Sequence, residues 1–554
     1  MESPSVSLYQ ALTAVAAAHP RRLAVCDGRD RVSFGELTRR VDGLRAELRE
    51  TGVEPAARVL LTGPNSTGFV VSFFAITSLG CAVVPMDWSL TPHELSLRVS
   101  DSGPRAVVVC DGDQDAVRGR IVENLAAVPG LTLLPTVWAT AQDSPEAELT
   151  PGPARGLVHD VAVAIFTSGT TGQPKIVEHT HADLLTATSA LHDLHKSHFR
   201  GSLLRAFRSA LALSLLYRER LLRAAGHQTW LTTSPFSSMA GLQVLLGCLL
   251  RGDTLAVTAM VSPRAVLSAI EREQVNVLAT SPALARLLLA VKPSARYDTS
   301  SLLAIGLGGA PAPTELIEML EGRFRCPVTV GYGSTEAAGG ILATRLTDPR
   351  SVRQASAGKP FPGVAIAILD DRGRQCSPGM PGELAFMRCN ARGRWHRTGD
   401  CARMDGQGNV VILGRLDEAI KRNERMIFPA EIKEVIEAYP GVTGSGVVGY
   451  PGLDGTRIAA YVEGPGDLSL AGLRDHCRRL LSGFRLPDRF YLLSSLPRTA
   501  DGKVQKFRLP AAQEWSRPGM SSLSVDPASS SRSAGRGMGE GQGLTGREGR
   551  AGNG

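Results

Sequence analysis

Residues 165–175 combine glycine, hydroxylated and basic residues in a pattern that suits phosphate binding. The stretch reads Ile165-Phe166-Thr167-Ser168-Gly169-Thr170-Thr171-Gly172-Gln173-Pro174-Lys175. Its glycines let backbone N–H groups approach an anion, its hydroxyls donate further hydrogen bonds, and its lysine adds a positive charge. Because a proline precedes the lysine and a strand pattern follows it, the stretch differs from a Walker loop. We interpret it as a phosphate-binding loop; the alternative is a flexible surface loop.

A second stretch contains residues that could bind a ligand at the end of a predicted apolar strand. It reads Val328-Thr329-Val330-Gly331-Tyr332-Gly333-Ser334-Thr335-Glu336. Gly331 and Gly333 carry no side chain and therefore permit close approach of a flat ligand. Tyr332 offers a ring face for stacking on such a ligand. A glutamate after a strand is most often an exposed surface residue, and the local pattern alone predicts no other role for Glu336.

These stretches resemble the adenylate-forming (AMP-binding) superfamily, which includes acyl-CoA synthetases, aryl-CoA ligases, luciferases and the adenylation domains of nonribosomal peptide synthetases. Further short motifs occur in the order of that family: Thr398-Gly399-Asp400, Gly414-Arg415-Leu416-Asp417 and Asp501-Gly502-Lys503. The resemblance covers about residues 8 to 510. It implies ATP-dependent activation of a carboxylate.

The resemblance assigns one set of residues to ATP. The contacts that it implies are Thr167, Ser168, Gly169, Thr170, Thr171 and Gly172 with the phosphates, Gly309, Ala310, Pro311, Tyr332 and Gly333 with the adenine, and Asp400 and Arg415 with the ribose.

The resemblance also implies the catalytic groups, which are Lys175, Lys503, Thr335 and Glu336. Thr335 would contact a phosphate, and Glu336 would bind Mg²⁺, a cation that prefers carboxylate and phosphate oxygens. Lys503 would dock onto the α-phosphate and the carboxylate. Since negative charge accumulates on phosphorus oxygens during adenylation, these cations would act by electrostatic stabilisation.

The resemblance places an acyl pocket at a strand-to-helix turn, with the candidate lining residues Phe236, Ser237, Met239 and Gly331. Peptide-synthetase domains carry an aspartate at the position of Ser237, where it pairs with the α-amine of the substrate. Because Ser237 supplies no anion for a buried ammonium, the sequence disfavours an α-amino acid substrate. The alternative is that another carboxylate reaches into the pocket.

A hinge and a thiol path are also implied by the resemblance. Asp417 falls at the family's hinge, and the segment from Lys421 to Pro429 lines the path of the thiol. Family members usually carry glycine where Glu424 stands, and glutamate adds bulk and negative charge there. Either CoA is a poor acceptor, because its phosphates would meet like charge, or the loop is shifted and Glu424 points to solvent.

The elements that must position these residues alternate between strand and helix patterns, which predicts parallel sheets covered by helices. Short alternating runs in residues 359–415 predict an antiparallel subdomain. We predict an α/β fold with a large N-terminal domain of two α/β subdomains with parallel-rich sheets plus a β-rich subdomain, and a small mobile C-terminal α+β domain. The predicted boundaries are 1–416 for the N-terminal domain, 417–512 for the C-terminal lid domain and 513–554 for a disordered tail.

Residues 182–227 are predicted to be helical and are unusually basic. Residues 199–225 alternate arginines with leucines, which is typical of a helix that lies on an anionic membrane or binds a partner. A solvated face on a packed helix explains the same pattern. Residues 69–86 are apolar, yet Gly80 and Pro85 interrupt them, so a buried helix followed by a buried strand is predicted instead of a membrane span.

Composition places the chain among ordinary globular proteins, with 43% hydrophobic and 21% charged residues over a length of 554. The net charge of +8 comes from 61 Lys+Arg against 53 Asp+Glu and is diffuse, so it does not indicate a nucleic-acid partner. The nine cysteines show no Cys-x-x-Cys pair, and the N-terminus does not resemble a signal peptide. Free thiols and a cytoplasmic location are expected.

The sequence therefore predicts a magnesium-dependent ligase that forms acyl-AMP from ATP and a small carboxylic acid, and then transfers the acyl group to CoA. One alternative is a stand-alone adenylation enzyme that loads a carrier protein in trans. A second alternative is a nucleotide-binding protein without turnover, against which Lys503, Glu336 and Asp400 argue. The identity of the acid is not encoded in any motif.

Overall fold

The computed structural model describes most of the chain as packed strands and helices. The described residues are 6–110, 115–132, 134–139, 160–167, 175–197, 226–291, 297–388, 394–422, 425–452, 455–498, 504–509 and 522–524. Their helices are α1 (Leu8–Ala18), α2 (Phe34–Glu50), α3 (Thr67–Ser78), α4 (Pro92–Ser102), α5 (Asp115–Ala126), α6 (Pro129–Thr132), α7 (His181–Ser197), α8 (Met239–Leu249), α9 (Pro263–Glu273), α10 (Pro282–Ala290), α11 (Thr314–Phe324), α12 (Arg350–Ala355), α13 (Pro429–Glu437) and α14 (Leu470–Leu480).

The strands of the described ranges fall into five sheets. They are β1 (Leu23–Cys26), β2 (Arg31–Ser33), β3 (Arg58–Thr62), β4 (Ala82–Met86), β5 (Ala106–Val109), β6 (Thr136–Trp138), β7 (Val161–Thr167), β8 (Lys175–Thr180), β9 (Thr229–Thr232), β10 (Thr254–Ala256), β11 (Val277–Thr280), β12 (Ala304–Leu307), β13 (Val328–Ser334), β14 (Gly339–Ala343), β15 (Lys359–Pro360), β16 (Val364–Leu369), β17 (Gly382–Arg388), β18 (His396–Met404), β19 (Val410–Arg415), β20 (Ile420–Arg422), β21 (Arg425–Ile427), β22 (Gly444–Gly452), β23 (Gly455–Glu463), β24 (Arg489–Leu493) and β25 (Ser522–Ser524).

A six-stranded sheet has the order β6-β5-β3-β4-β7-β8, in which only β8 is antiparallel to its neighbour. A nine-stranded sheet has the order β15-β14-β13-β12-β11-β9-β10-β1-β2, with a parallel centre from β13 to β1 and antiparallel strands at both ends. Helix α3 packs in a hydrophobic cluster that also contains residues of both sheets. Its side chains Phe69 and Phe73 are fully buried in this cluster. These are the two predicted α/β subdomains.

Local sequence explains how the helices form. In α2 the Ser33 hydroxyl accepts the backbone N–H of Glu36 and so caps the first turn. Leu37, Val41 and Leu48 recur at helical spacing and are all buried, so they form the inward face of the helix. Helix α3 and strand β4 confirm the predicted buried helix and buried strand. Over the described ranges, no helix is both long enough and apolar enough to cross a bilayer.

The predicted β-rich subdomain is a four-stranded antiparallel sheet in the order β16-β17-β18-β19. After it come the β20–β21 hairpin and a small sheet in the order β22-β23-β24-β25. Helices α13 and α14 pack against the small sheet, with Ile432, Ile436 and Leu473 fully buried in one cluster. These elements form the predicted C-terminal α+β unit.

Two sequence predictions are wrong in part. Residues 226 and 227 are not helical, because the chain is already entering β9, where the N–H of Gln228 donates to Asp253 Oδ1 at 3.0 Å. The predicted disordered tail contains β25, which pairs antiparallel with β24. A free sheet edge presents unpaired backbone groups, so even three residues find partners there. The basic segment 199–225 lies outside the described residues, and its proposed membrane contact stays a prediction.

Candidate functional site

The two strands that flank the predicted phosphate loop form an antiparallel pair. Thr167 at the end of β7 lies opposite Lys175 at the start of β8, and the Thr167 hydroxyl donates to the Lys175 carbonyl at 3.4 Å. The prediction that the chain continues as a strand after the loop is confirmed. The candidate loop residues Ser168, Gly169, Thr170, Thr171 and Gly172 lie outside the described residues.

The candidate adenine residues lie at the carboxyl edge of the nine-stranded sheet, where parallel strands of α/β proteins commonly hold ligands. Gly309, Ala310 and Pro311 follow β12 and are exposed. Gly309 has φ of 79°, a left-handed conformation that favours glycine. Gly333 is needed for another reason: a Cβ there would lie 2.4 Å from the carbonyl oxygen of Gly339. Glycine at 333 thus permits the close pairing of β13 with β14.

Four predicted residues meet beside this edge. The Tyr332 hydroxyl donates a short hydrogen bond to Asp400 Oδ2. Asp400 on β18 lies opposite Arg415 on β19, and Arg415 Nη1 is 3.7 Å from Asp400 Oδ1. Arg415 also donates to the Thr398 carbonyl at 2.8 Å and to Asp417 Oδ1 at 3.1 Å. Tyr332, Asp400, Arg415 and Asp417 therefore form one connected polar group.

The electrostatics of this group follow from its burial. Burial raises the pKa of Tyr332 well above its ordinary value, and the adjacent Asp400 carboxylate raises it further. Burial also raises the pKa of Asp400, while the Tyr332 hydroxyl and the Arg415 guanidinium oppose that shift. Tyr332 therefore remains a hydrogen-bond donor at neutral pH. Its hydroxyl fixes one carboxylate oxygen of Asp400.

The candidate metal ligand lies in the turn between β13 and β14. Thr335 is half-buried and Glu336 is exposed. No three His, Cys, Asp or Glu side chains cluster as a metal centre in the part of the chain that is described. Mg²⁺ is commonly held by one or two carboxylates together with substrate phosphates and water, so a single accessible Glu336 fits this ion.

The candidate acyl-pocket residues differ in exposure. Phe236 is 1% exposed and packs on Phe69, with ring centroids 5.6 Å apart. Met239 is buried, whereas Ser237 and Gly331 are half-buried. Only Ser237 and Gly331 thus keep substantial surface, and the assignment of all four to a pocket stays a prediction.

The C-terminal candidates are described in part. Lys421 lies on β20 and is exposed, while Glu424 and Lys503 lie outside the described residues. The segment after Lys503 contacts the residue that follows the candidate hinge Asp417, because Lys506 Nζ lies 2.6 Å from a carboxylate oxygen of Glu418. The proposed roles of Lys421, Glu424 and Lys503 stay predictions.

Sequence reasoning missed three buried side chains beside the candidate residues. The Asn65 amide accepts the Phe236 N–H at 2.7 Å and donates to the Ser234 carbonyl at 3.0 Å, so it holds the strand-to-helix turn. His179 and Arg388 bond the backbone of the turn that carries Glu336. The available signal was a polar residue within a strand, for His179 and Arg388, or just before a helix, for Asn65. This signal does not identify the bonding partner of each side chain, because the partners are distant in sequence.

Comparisons with known proteins find related sequences over most of the chain. A family model described as AMP-binding enzyme matches residues 12–391. A feruloyl-CoA synthase from Amycolatopsis sp is 30% identical over 512 residues, which are 88% of this chain and 95% of that protein. The pyochelin synthase PchD from Pseudomonas aeruginosa is 28% identical over 535 residues, 90% of each chain.

A solved structure has the same fold. The O-succinylbenzoate coenzyme A synthetase MenE from Bacillus subtilis, in complex with ATP and magnesium ion, superimposes with a TM-score of 0.71 at 24% identity. The match covers 90% of this chain and 98% of that one.

Proposed function

Because the chain belongs to the AMP-binding enzyme family and is an AMP-forming acid–thiol ligase, we propose that it activates an aromatic carboxylic acid and transfers it to the thiol of CoA. The observation that carries this proposal is the connected group of Tyr332, Asp400 and Arg415 beside the turn of Glu336. The feruloyl-CoA synthase relative supports an aromatic acid. Ser237 supports the exclusion of α-amino acids, since it supplies no anion for an ammonium group.

In the proposed first step, a carboxylate oxygen of the acid attacks the α-phosphorus of ATP, and the bond to the leaving pyrophosphate breaks. Tyr332 would stack on the adenine, and Asp400 and Arg415 would hold the ribose. Lys175 and Lys503 would stabilise negative charge on the phosphate oxygens. Mg²⁺, held by Glu336, would supply further positive charge to the phosphates.

In the proposed second step, the thiol sulfur bonds to the acyl carbon and the acyl–phosphate oxygen bond breaks. AMP leaves with the electron pair, and the thiol proton is released to solvent. The C-terminal unit would rotate about Asp417 between the two steps, withdrawing Lys503 and bringing the Lys421 segment to the thiol path.

A carrier protein in trans is the second candidate acceptor. Glu424 favours it, because a carboxylate in the thiol path would repel the phosphates of CoA. A nucleotide-binding protein without turnover is disfavoured by the matches of Lys175, Lys503 and Glu336 to the family's catalytic positions.

The test supplies ATP, Mg²⁺ and a panel of substituted cinnamic, benzoic and aliphatic acids, with phenylalanine as the α-amino acid control. Acyl-CoA and AMP are measured by mass spectrometry, with either CoA or a phosphopantetheinylated carrier protein as acceptor. The proposal expects one aromatic acid to give equal amounts of acyl-CoA and AMP. Preferential use of phenylalanine would overturn the substrate class, and product formed only on the carrier would overturn CoA as acceptor.

A further inference from the structure

The turn that carries Thr335 and Glu336 is fixed by a side chain from the other large sheet. His179 lies on β8 of the six-stranded sheet, is 4% exposed, and its Nε2 lies 2.7 Å from the carbonyl oxygen of Thr335. Because a carbonyl oxygen only accepts, Nε2 must carry the proton. The hydrogen bond joins residues that are 156 positions apart in the sequence. Its acceptor, Thr335, immediately precedes the candidate metal ligand Glu336.

The charge state of His179 suits this role. Burial lowers its pKa, although the hydrogen bond to Thr335 and the nearby carboxylates of Asp183 and Glu336 oppose the shift, and the Arg388 cation adds to it. The imidazole is therefore neutral at pH 7 and acts as a fixed donor. A neutral donor adds no charge that would compete with a cation for Glu336.

The far end of the same turn is fixed by Arg388 at the end of β17. Its Nε donates to the Ala337 carbonyl at 2.7 Å, and its Nη2 donates to the Gly340 carbonyl at 2.9 Å. Arg388 is 6% exposed, and burial lowers its pKa. Glu336 thus stands between two backbone groups that are bonded to buried side chains from different sheets.

Strand β8 connects this turn to the phosphate loop. It begins at Lys175, directly after the loop, and contains His179 near its other end. Residues 175 and 179 of one strand face the same side because side chains alternate with a period of two. We propose that His179 is a positioning residue that holds Glu336 at a fixed separation from Lys175, the first residue of its own strand, and so sets the affinity for metal–ATP. This inference rests on the proposed function.

The test measures metal–nucleotide binding apart from turnover. Mn²⁺ replaces Mg²⁺, and the electron paramagnetic resonance signal of free Mn²⁺ is followed as ATP and protein are added. His179→Leu is expected to weaken Mn²⁺–ATP binding about tenfold, the equivalent of roughly 1.4 kcal/mol. It should lower the adenylation kcat while the KM for the acid stays constant. His179→Gln, which keeps an N–H donor, should recover most of the affinity.

His192 supplies the matched control. Its Nε2 lies 2.8 Å from the carbonyl oxygen of Gly247, so His192→Leu removes a bond of the same kind in α7. Both leucine variants should lower the melting temperature, but only His179→Leu should weaken Mn²⁺–ATP binding. Equal binding by the two leucine variants, or no recovery in His179→Gln, would overturn the inference.

Glu336→Gln separates this inference from the proposed function. If Glu336→Gln weakens Mn²⁺–ATP binding and His179→Leu does not, Glu336 keeps its proposed metal role and only the role of His179 fails. If Glu336→Gln binds Mn²⁺–ATP as the wild type does, the proposed metal site fails and the inference fails with it.

Discussion

The hydroxyl of Tyr332 can be removed without removing its ring. Tyr332→Phe keeps a ring face for stacking on adenine and deletes the donor to Asp400 Oδ2. Asp400 keeps the Arg415 guanidinium 3.7 Å away, so its charge remains compensated. The variant therefore tests whether the orientation of the Asp400 carboxylate matters for ATP.

The expected magnitude follows from the kind of bond that is lost. A hydrogen bond to a charged group contributes about 1.5–3 kcal/mol to stability, and the lower half of that range applies because Tyr332 is only half-buried. We expect the free energy of unfolding to fall by about 1.5–2 kcal/mol. A carboxylate that loses its fixed rotamer should bind the ribose less well, raising the KM for ATP about fivefold to tenfold, or roughly 1–1.4 kcal/mol.

Tyr9→Phe is the matched control. Tyr9 on α1 is also half-buried, and its hydroxyl donates to Oδ1 of Asp42 on α2 at 2.5 Å. Both variants should lose similar stability in urea unfolding. Pyrophosphate exchange is then measured with ATP and with 2′-deoxy-ATP. Because the proposed contact is with the ribose hydroxyls, Tyr332→Phe should narrow the preference for ATP over 2′-deoxy-ATP, and Tyr9→Phe should not.

Two results would refute this reasoning. The first is an unchanged KM for ATP in Tyr332→Phe despite a measured loss of stability. The second is an equal rise in KM for ATP and 2′-deoxy-ATP, which would mean that the Asp400 carboxylate does not contact the 2′-hydroxyl.

Three further predictions concern the C-terminal part of the chain. Lys503→Ala should lower single-turnover acyl-AMP formation by orders of magnitude while ATP still binds, since it removes a transition-state charge; an unchanged rate would remove the residue from the mechanism. Glu424→Gly should raise acyl-CoA formed per acyl-AMP, whereas an equal ratio in wild type and variant would show that Glu424 does not hinder CoA. Truncation after Ser524 should leave the melting temperature unchanged, whereas deletion of 516–554 should lower the free energy of unfolding by about 1–2 kcal/mol, because it uncovers the edge of β24. A large fall in melting temperature after truncation at Ser524 would contradict this prediction.

The sequence predicted the elements that depend on local pattern. Strand β8 after Lys175 followed from the apolar residues beyond the loop, and the antiparallel sheet β16–β19 followed from short alternating runs. The resemblance assigned Asp400 and Arg415 to the ribose and Tyr332 to the adenine of one ATP molecule, and the structure brings these three side chains together.

Prediction from the sequence failed where a contact joins residues that are far apart in the chain, and where a segment pairs with the edge of a sheet. His179 meets Thr335 across 156 positions, and Asn65 meets Phe236 across 171, so no local pattern shows either contact. Tyr332 was predicted to offer its ring, but its hydroxyl has an equally definite partner in Asp400. Strand β25 has a composition typical of disorder and is ordered by the backbone groups of β24.

We propose that a carboxylic acid attacks the α-phosphorus of ATP in this site. This attack is measured as the exchange of labelled pyrophosphate into ATP, with Mg²⁺ present and CoA absent, across the panel of acids. We expect exchange that depends on an aromatic acid and that falls to background in Glu336→Gln and Lys503→Ala. Binding of ATP with no acid-dependent exchange for any acid in the panel, or release of ADP instead of AMP, would contradict it.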